Sequence, residues 1–290
     1  MNAQLSNECL TVTVAQKGAE LISVTDENGC EYLWQADDRY WGEHAPWMFP
    51  VCGRFFGGHY TYEGKTYEMP IHGFARTEDF RLEEQTENTL SFVLTENERT
   101  LAMYPFPFSL RVTYTLSGKK LSATATVRNT GKAVLPATLG VHPGFCLPLG
   151  ESSFEDHVLV FDAPCKPRLF VLSPSCFLSG EQTDFPLENG ISLPLRRSLF
   201  DNDAIFVSDM ADRVTLMSTA SERKVTVHYP DVPYLGFWQK PHSDAPYLCI
   251  EPWYGLPSLD GAVEDLSEKP HMFRLSQGEE ASMRCEILFE

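Results

Sequence analysis

Apolar and polar residues alternate with period two along most of this sequence, and that pattern commits the chain to β structure. Leu110, Val112, Tyr114 and Leu116 fall on one side of an extended run. After Ser117-Gly118-Lys119-Lys120, Leu121, Ala123, Ala125 and Val127 answer them. Successive strand side chains point to opposite faces, so the pair reads as a hairpin with one buried face. The same signature pairs Phe80–Glu84 with Leu90–Leu94, Arg213–Ser218 with Lys224–Tyr229, and Tyr60–Tyr62 with Thr66–Met69. Leu10–Val14, Glu20–Thr25 and Ala281–Phe289 are also strand-like. With 20 prolines and 19 glycines, the chain is interrupted too often for long helices. Short helical turns fit only around Asp37–Trp41 and Ser198–Ala204. The expected architecture is all-β, a large antiparallel β-sandwich with few short helices. Without a linker, repeat or low-complexity tract, residues 1–290 read as a single domain. Between Leu147 and Leu199 the pattern weakens and Pro, Ser and Asp accumulate, which predicts long surface connections.

Charge narrows the partners. Forty acids against 23 bases give a formal net charge of -17. That field repels nucleic acid and anionic membranes and keeps the chain soluble. No apolar stretch approaches the length of a membrane span, and the N-terminus lacks the basic and apolar regions of an export signal. The eight cysteines form no Cys-x-x-Cys pair, and Cys249 lies inside the apolar run Tyr-Leu-Cys-Ile, as buried free thiols do. A reducing cytoplasm is the expected location, with the chain a monomer or homodimer.

Three strand ends carry ionisable side chains. In Met69-Pro70-Ile71-His72-Gly73, the proline extends the backbone before His72 and the glycine permits a sharp turn after it. His72 is either a structural histidine bonded to local backbone or a side chain presented to a ligand. In Thr138-Leu139-Gly140-Val141-His142-Pro143, Thr138, Gly140 and His142 share one face. The small residues beside His142 suggest room in front of its ring; alternatively, Gly140 marks a bulge that His142 caps. In Tyr247-Leu248-Cys249-Ile250-Glu251-Pro252-Trp253, a carboxylate ends an otherwise apolar strand. Glu251 must then be paired in a structural network or sit at a cleft with a raised pKa. Trp253 beside it offers a flat surface for stacking on a sugar. Asp203, in Phe200-Asp201-Asn202-Asp203-Ala204, suits a helix cap, a turn or a ligand contact. Arg54 follows Phe49-Pro50-Val51-Cys52-Gly53, where its fork could bridge hydroxyls or hold a carboxylate, or lie on the surface.

Five segments in this order resemble the aldose 1-epimerase superfamily, and more closely its branch of LacX-like and hexose-phosphate-epimerase-like proteins. They are Phe49–Arg54, His72-Gly73-Phe74-Ala75-Arg76, Val141–Phe145, Asp201-Asn202-Asp203-Ala204 and Cys249–Trp253. Each is weak alone; their order and spacing extend over most of the chain. The resemblance implies a galactose-mutarotase-like sandwich with one open cleft. It implies Glu251 as general base, His142 as general acid, and His72, Arg54 and Asp203 as sugar ligands. Phe74-Ala75-Arg76 replaces the second glycine usual in galactose mutarotases, which leaves the substrate more open than the reaction.

The expected reaction is interconversion of the α and β anomers of a hexose. A base removes the O1 proton while an acid protonates the ring oxygen; the opened chain rotates about C1–C2 and closes on the other face. Each positioned group contributes about 10²–10⁴-fold, and no cofactor or metal is required. A hexose 6-phosphate is the alternative substrate, with Arg54, Arg76 and Lys240 as candidate phosphate contacts. Two other classes compete. Two histidines and a carboxylate are also the ligands of a non-haem iron centre, although no His-x-Asp or His-x-Glu occurs. A binding module would need only aromatic platforms such as Trp41, Trp47, Trp238 and Trp253.

Overall fold

A computed structural model describes residues 1–290. Two large sheets dominate, and every strand pair in them is antiparallel. The first has nine strands: Ser192–Pro194, His157–Phe161, Arg213–Ser218, Ser221–His228, Glu280–Phe289, Lys120–Asn129, Phe108–Ser117, Thr89–Thr95 and Arg81–Gln85. Its centre is the hairpin read from sequence, in register Leu121↔Leu116 through Val127↔Leu110. The second has eight strands, ordered Leu178–Asp184, Arg168–Leu172, Ile205–Ser208, Tyr234–Trp238, Tyr247–Trp253, Gly140–Val141 and Trp47–Met48, with Gly144–Cys146 also paired to Tyr247–Trp253. Asn2–Ser6, Leu10–Ala15 and Leu21–Asp26 form a third, smaller sheet.

Between the sheets lies a cluster of 64 buried apolar residues drawn from both, among them Leu110, Val112, Val225, Leu248, Ile250 and Ile287. At about 25 cal/mol per Å² of apolar surface removed from water, such burial is the principal force holding the layers together. One short α-helix, Glu98–Met103, is capped by Asn97 and Thr100, each side chain bonding the other's backbone N–H. Asp37–Trp41 contains a turn rather than a helix, and a 3₁₀ turn covers Arg197–Phe200.

One expectation fails. The stretch from Leu147 to Leu199, read as surface connection, contributes four strands: His157–Phe161, Arg168–Leu172, Leu178–Asp184 and Ser192–Pro194. Two are edge strands, and Leu178–Asp184 exposes six of its seven residues. Edge strands need no continuous apolar face, so their alternation is faint.

The strand Tyr247–Trp253 explains where chemistry can sit. It is buried along its whole length because both its faces are covered. Leu248 and Ile250 enter the main core, whereas Tyr247, Cys249, Glu251 and Trp253 point to the opposite face. Neighbouring Phe206 and Trp238 share that outer face, while Val207, Leu235 and Phe237 turn inward.

Candidate active site

On the outer face of the eight-stranded sheet lies a cleft of about 280 Å³. Nine of the residues singled out in the sequence line it: Arg54, His72, Arg76, His142, Asp203, Glu251 and Trp253, with Trp41 and Trp238.

Strand register brings the ionisable pair together. Gly140 pairs with Trp253 and Gly144 with Cys249, so His142 occupies the position opposite Glu251. Pro143 supplies no N–H, so the ladder keeps only the bond from the Ile250 N–H to the Pro143 carbonyl, at 3.2 Å, and leaves a gap beside it. Across this gap His142 Nε2 lies 3.2 Å from Glu251 Oε2. Gly236, which is Glu251's partner on the other side, leaves room for the carboxyl group; a Cβ there would stand 3.4 Å from Oε2. Gly140 plays a different part from that expected. Met48 and Cys52 fill the space beside it, and a Cβ would fall 2.5 Å from Met48 Cε, so it admits core packing rather than a ligand. His142 meets the cleft edge-on to His72 and is packed against Trp41, with ring centroids 4.8 Å apart.

Burial governs the protonation of both groups. Glu251 is pushed well above the usual carboxylate range by burial, and the negative charge of Asp203 adds to this. Burial lowers His142 to about 3. Both effects favour the neutral arrangement, with one shared proton resting on Glu251 and His142 accepting it through Nε2. Glu251 Oε1, His142 Nδ1 and Trp253 Nε1 are buried without hydrogen-bond partners. Buried polar atoms are seldom left unpaired, so three together at one floor set this spot apart from the apolar core.

His72 is fixed by its neighbours. Its N–H donates to the Gly53 carbonyl at 2.7 Å, and its Nδ1 accepts from the Gly53 N–H at 3.2 Å. Burial first, then the charges of His142, Arg76 and Arg54, hold its pKa well below the ordinary range. The neutral ring accepting at Nδ1 carries its proton on Nε2, which makes it a hydrogen-bond donor. His72 itself adopts a left-handed backbone at φ 63°, as does Gly73 at 73°. A Cβ on Gly73 would lie 2.1 Å from the Phe49 carbonyl oxygen, so this close approach requires glycine.

Asp203 Oδ1 accepts from Trp238 Nε1 at 2.9 Å, and its Oδ2 lies 3.9 Å from Arg54 Nη2. Arg76, in the 3₁₀ turn Ala75–Thr77, is paired with Glu43. Cys176, like His72 and Asp203, adopts positive φ at the cleft. Glu43, Cys176 and Phe206 were not anticipated: they come from loops and strands whose local sequence carries no motif.

Three sequence expectations are corrected. Trp47 is no platform, because its ring is buried in the core and Nε1 donates to Tyr114 Oη at 2.7 Å. Lys240 does not line the cleft; its Nζ donates to the Arg39 carbonyl at 2.6 Å. Trp253 is only 2% exposed, wedged between Phe206 and His72, and forms floor rather than an open stacking surface. Cys249, two residues before Glu251, joins it and His142 in a group whose ligand atoms lie within 4.8 Å of one another. Burial raises the Cys249 thiol well above its ordinary range, which opposes the thiolate that a metal prefers.

A family model described as aldose 1-epimerase matches residues 1–258. The chain belongs to the aldose 1-epimerase family. It is 37% identical over 289 residues to the plasmid-encoded protein LacX of Lactococcus lactis subsp. lactis, spanning 95% of each chain. A galactose mutarotase related enzyme from Lactobacillus acidophilus superposes with TM-score 0.95 at 32% identity, covering 100% of this chain and 97% of that one. A galactose mutarotase-like protein from Lactobacillus casei ATCC 334 gives 0.93 at 31% identity, with 100% of both chains covered. Such neighbours place this family member's fold among galactose-mutarotase-like sandwiches. No helix is long and apolar enough to cross a membrane.

Proposed function

We propose that this protein is a cofactor-independent aldose 1-epimerase acting on an unphosphorylated hexose, with Glu251 as general base and His142 as general acid. The observation that carries the reading is the buried, register-locked contact between these two side chains at the floor of a cleft with unpaired polar atoms. Ring opening moves the O1 proton to Glu251 and the His142 proton to O5. It leaves the pair in the neutral state that burial favours. For the cyclic sugar the shared proton must first cross the 3.2 Å contact to His142. Sugar hydroxyls donating to Glu251 would stabilise the carboxylate and drive that transfer. His72 donates from Nε2 to a sugar oxygen, and the Arg54–Asp203 pair holds further hydroxyls.

Charge pairing supports the unphosphorylated substrate. Arg76 faces Glu43, Arg54 faces Asp203, and Lys240 is turned away, so no cation at the cleft is free of a carboxylate. Eight free cysteines suit a cytoplasmic location. Polarimetry on freshly dissolved α-glucose and α-galactose, with NMR anomer exchange on glucose 6-phosphate, tests the proposal. Acceleration of a free sugar is expected. Acceleration of the phosphate alone would overturn the substrate assignment, and acceleration of none would overturn the reaction.

A further inference from the structure

We propose that Glu43 is a sugar-binding residue that makes the cleft select neutral hexoses over anionic ones, by occupying Arg76 and presenting its second carboxylate oxygen to a hydroxyl. The inference rests on the mutarotase reading of the cleft. Glu43 and Arg76 both line it, and they are bonded through Oε2 and Nη1. Glu43 Oε1 and Arg76 Nη2 bond no protein atom, and both remain accessible. The pair thus offers one acceptor and one donor side by side, the complement of two neighbouring sugar hydroxyls. Two observations place it beside the reacting groups. After burial, the charge of Arg76 is among the influences that lower both His72 and His142. Trp41, two residues before Glu43, packs against the His142 ring with centroids 4.8 Å apart.

The loop that carries Glu43 is anchored on both sides of it. Trp34 Nε1 donates to the Trp41 carbonyl at 2.8 Å, and Glu20 Oε1 accepts from the His44 and Ala45 N–H groups at 2.7 and 3.0 Å. Charge then decides which sugars fit. A free arginine fork binds a carboxylate or phosphate through two parallel bonds. Glu43 takes Nη1 and Arg76 Nε is buried, so an anion reaches only one arm of the fork and lies beside the Glu43 charge. A neutral hydroxyl meets no such repulsion and can donate to Oε1. Arg54, the other arginine of the cleft, faces Asp203 in the same way. Selectivity is a difference between affinities, and here Glu43 acts on both sides of it.

NMR anomer exchange tests this with glucose against glucuronate and galactose against galacturonate, pairs that share their chemistry at C1 and differ in charge at C6. The wild type is expected to favour the neutral sugar in kcat/KM by about tenfold or more in each pair it turns over. Glu43→Gln should raise KM for the neutral sugar and raise the anionic-to-neutral ratio about tenfold, and Glu43→Ala should shift it the same way. Adding Arg76→Gln to Glu43→Gln should abolish the gain. Equal use of both sugars by the wild type would overturn the proposal whether or not the variants fold. So would an unchanged ratio in Glu43→Gln and Glu43→Ala, or a gain that survives the second substitution. Should the wild type turn over none of the four sugars, the mutarotase reading fails by itself. Saturation-transfer NMR with glucose and glucuronate then decides. Glucuronate contact absent from the wild type, gained in Glu43→Gln and lost in the double variant supports the role of Glu43, and any other pattern overturns it.

Discussion

Replacing Glu251 with glutamine separates the chemistry of the cleft from its stability. The glutamine side chain has the shape of the neutral acid, and its amide could donate to His142 Nε2 across the same 3.2 Å gap. If burial holds Glu251 protonated, the exchange removes a proton relay and little else. Turnover should then fall about 10²–10⁴-fold, the share of one positioned acid–base group. Measured near pH 4, where the carboxyl is neutral folded and largely neutral unfolded, stability should change by less than about 1 kcal/mol, or about 2–4 °C in Tm for a protein of this size. If the pair were instead an ion pair in the empty protein, removing the carboxylate would strand a buried imidazolium and cost about 3–5 kcal/mol. Polarimetry at pH 7 and a calorimetric scan near pH 4 measure the two quantities independently. The sign of the pH dependence adds a third check. A folded pKa above the unfolded value means the native state holds more protons, so stability falls as pH rises from about 4.5 through the raised value. The variant should lack this fall. Retained turnover would refute the base assignment, and a Tm drop above about 6 °C would refute the neutral pair.

Other expectations follow from the same geometry. His72→Ala should raise KM about tenfold with kcat little changed, since one neutral donor to the sugar is lost; steady-state kinetics showing an unchanged KM would count against it. Gly73→Ala should cost about 2–4 kcal/mol, from positive-φ strain plus the 2.1 Å approach to Phe49, and chemical denaturation would show it. His142, lowered to about 3 from its ordinary 6.5, contributes a stability term fully present above pH 6.5 and lost as pH falls toward 3. A His142→Gln variant should therefore lose less stability than the wild type across that window, and parallel losses in urea titrations would contradict the buried neutral imidazole.

Central strands of the nine-stranded sheet were legible in the sequence because one of their faces is buried and the other wet. The Phe108–Ser117 strand alternates buried and partly exposed residues almost without fault. Arg168–Leu172 and Leu178–Asp184 were missed because they lie toward the rim of their sheet, where neither face is fully covered. The cleft's strand-borne residues were legible for a related reason: a carboxylate ending an apolar run, or a histidine before proline, violates its surroundings. Glu43 and Cys176 violate nothing locally. They reach the cleft through tertiary placement alone, Glu43 opposite Arg76 and Cys176 in a turn beside Asp203. Trp47 and Trp253 show the converse limit, since an aromatic residue reads alike in sequence whether it fills a core or faces a ligand.

The catalytic contact is a consequence of how the core is packed. Glu251 faces the cleft only because Leu248 and Ile250 face the main core, and a slip of one residue would exchange the two sets. The cost of such a slip includes burying Glu251 among apolar side chains and losing the burial of Leu248 and Ile250, at about 1.5–3 kcal/mol per large side chain. His142 is held to the same register through Gly140↔Trp253 and Gly144↔Cys249, one pair on each side of the gap at Pro143. Pro143 forgoes one ladder hydrogen bond, while the Ile250 N–H still donates to the Pro143 carbonyl at 3.2 Å and ties the strands together beside the pair. Core apolar burial thus fixes the distance between acid and base without any direct bond to either, and the geometry of proton transfer is set by residues that never touch the sugar.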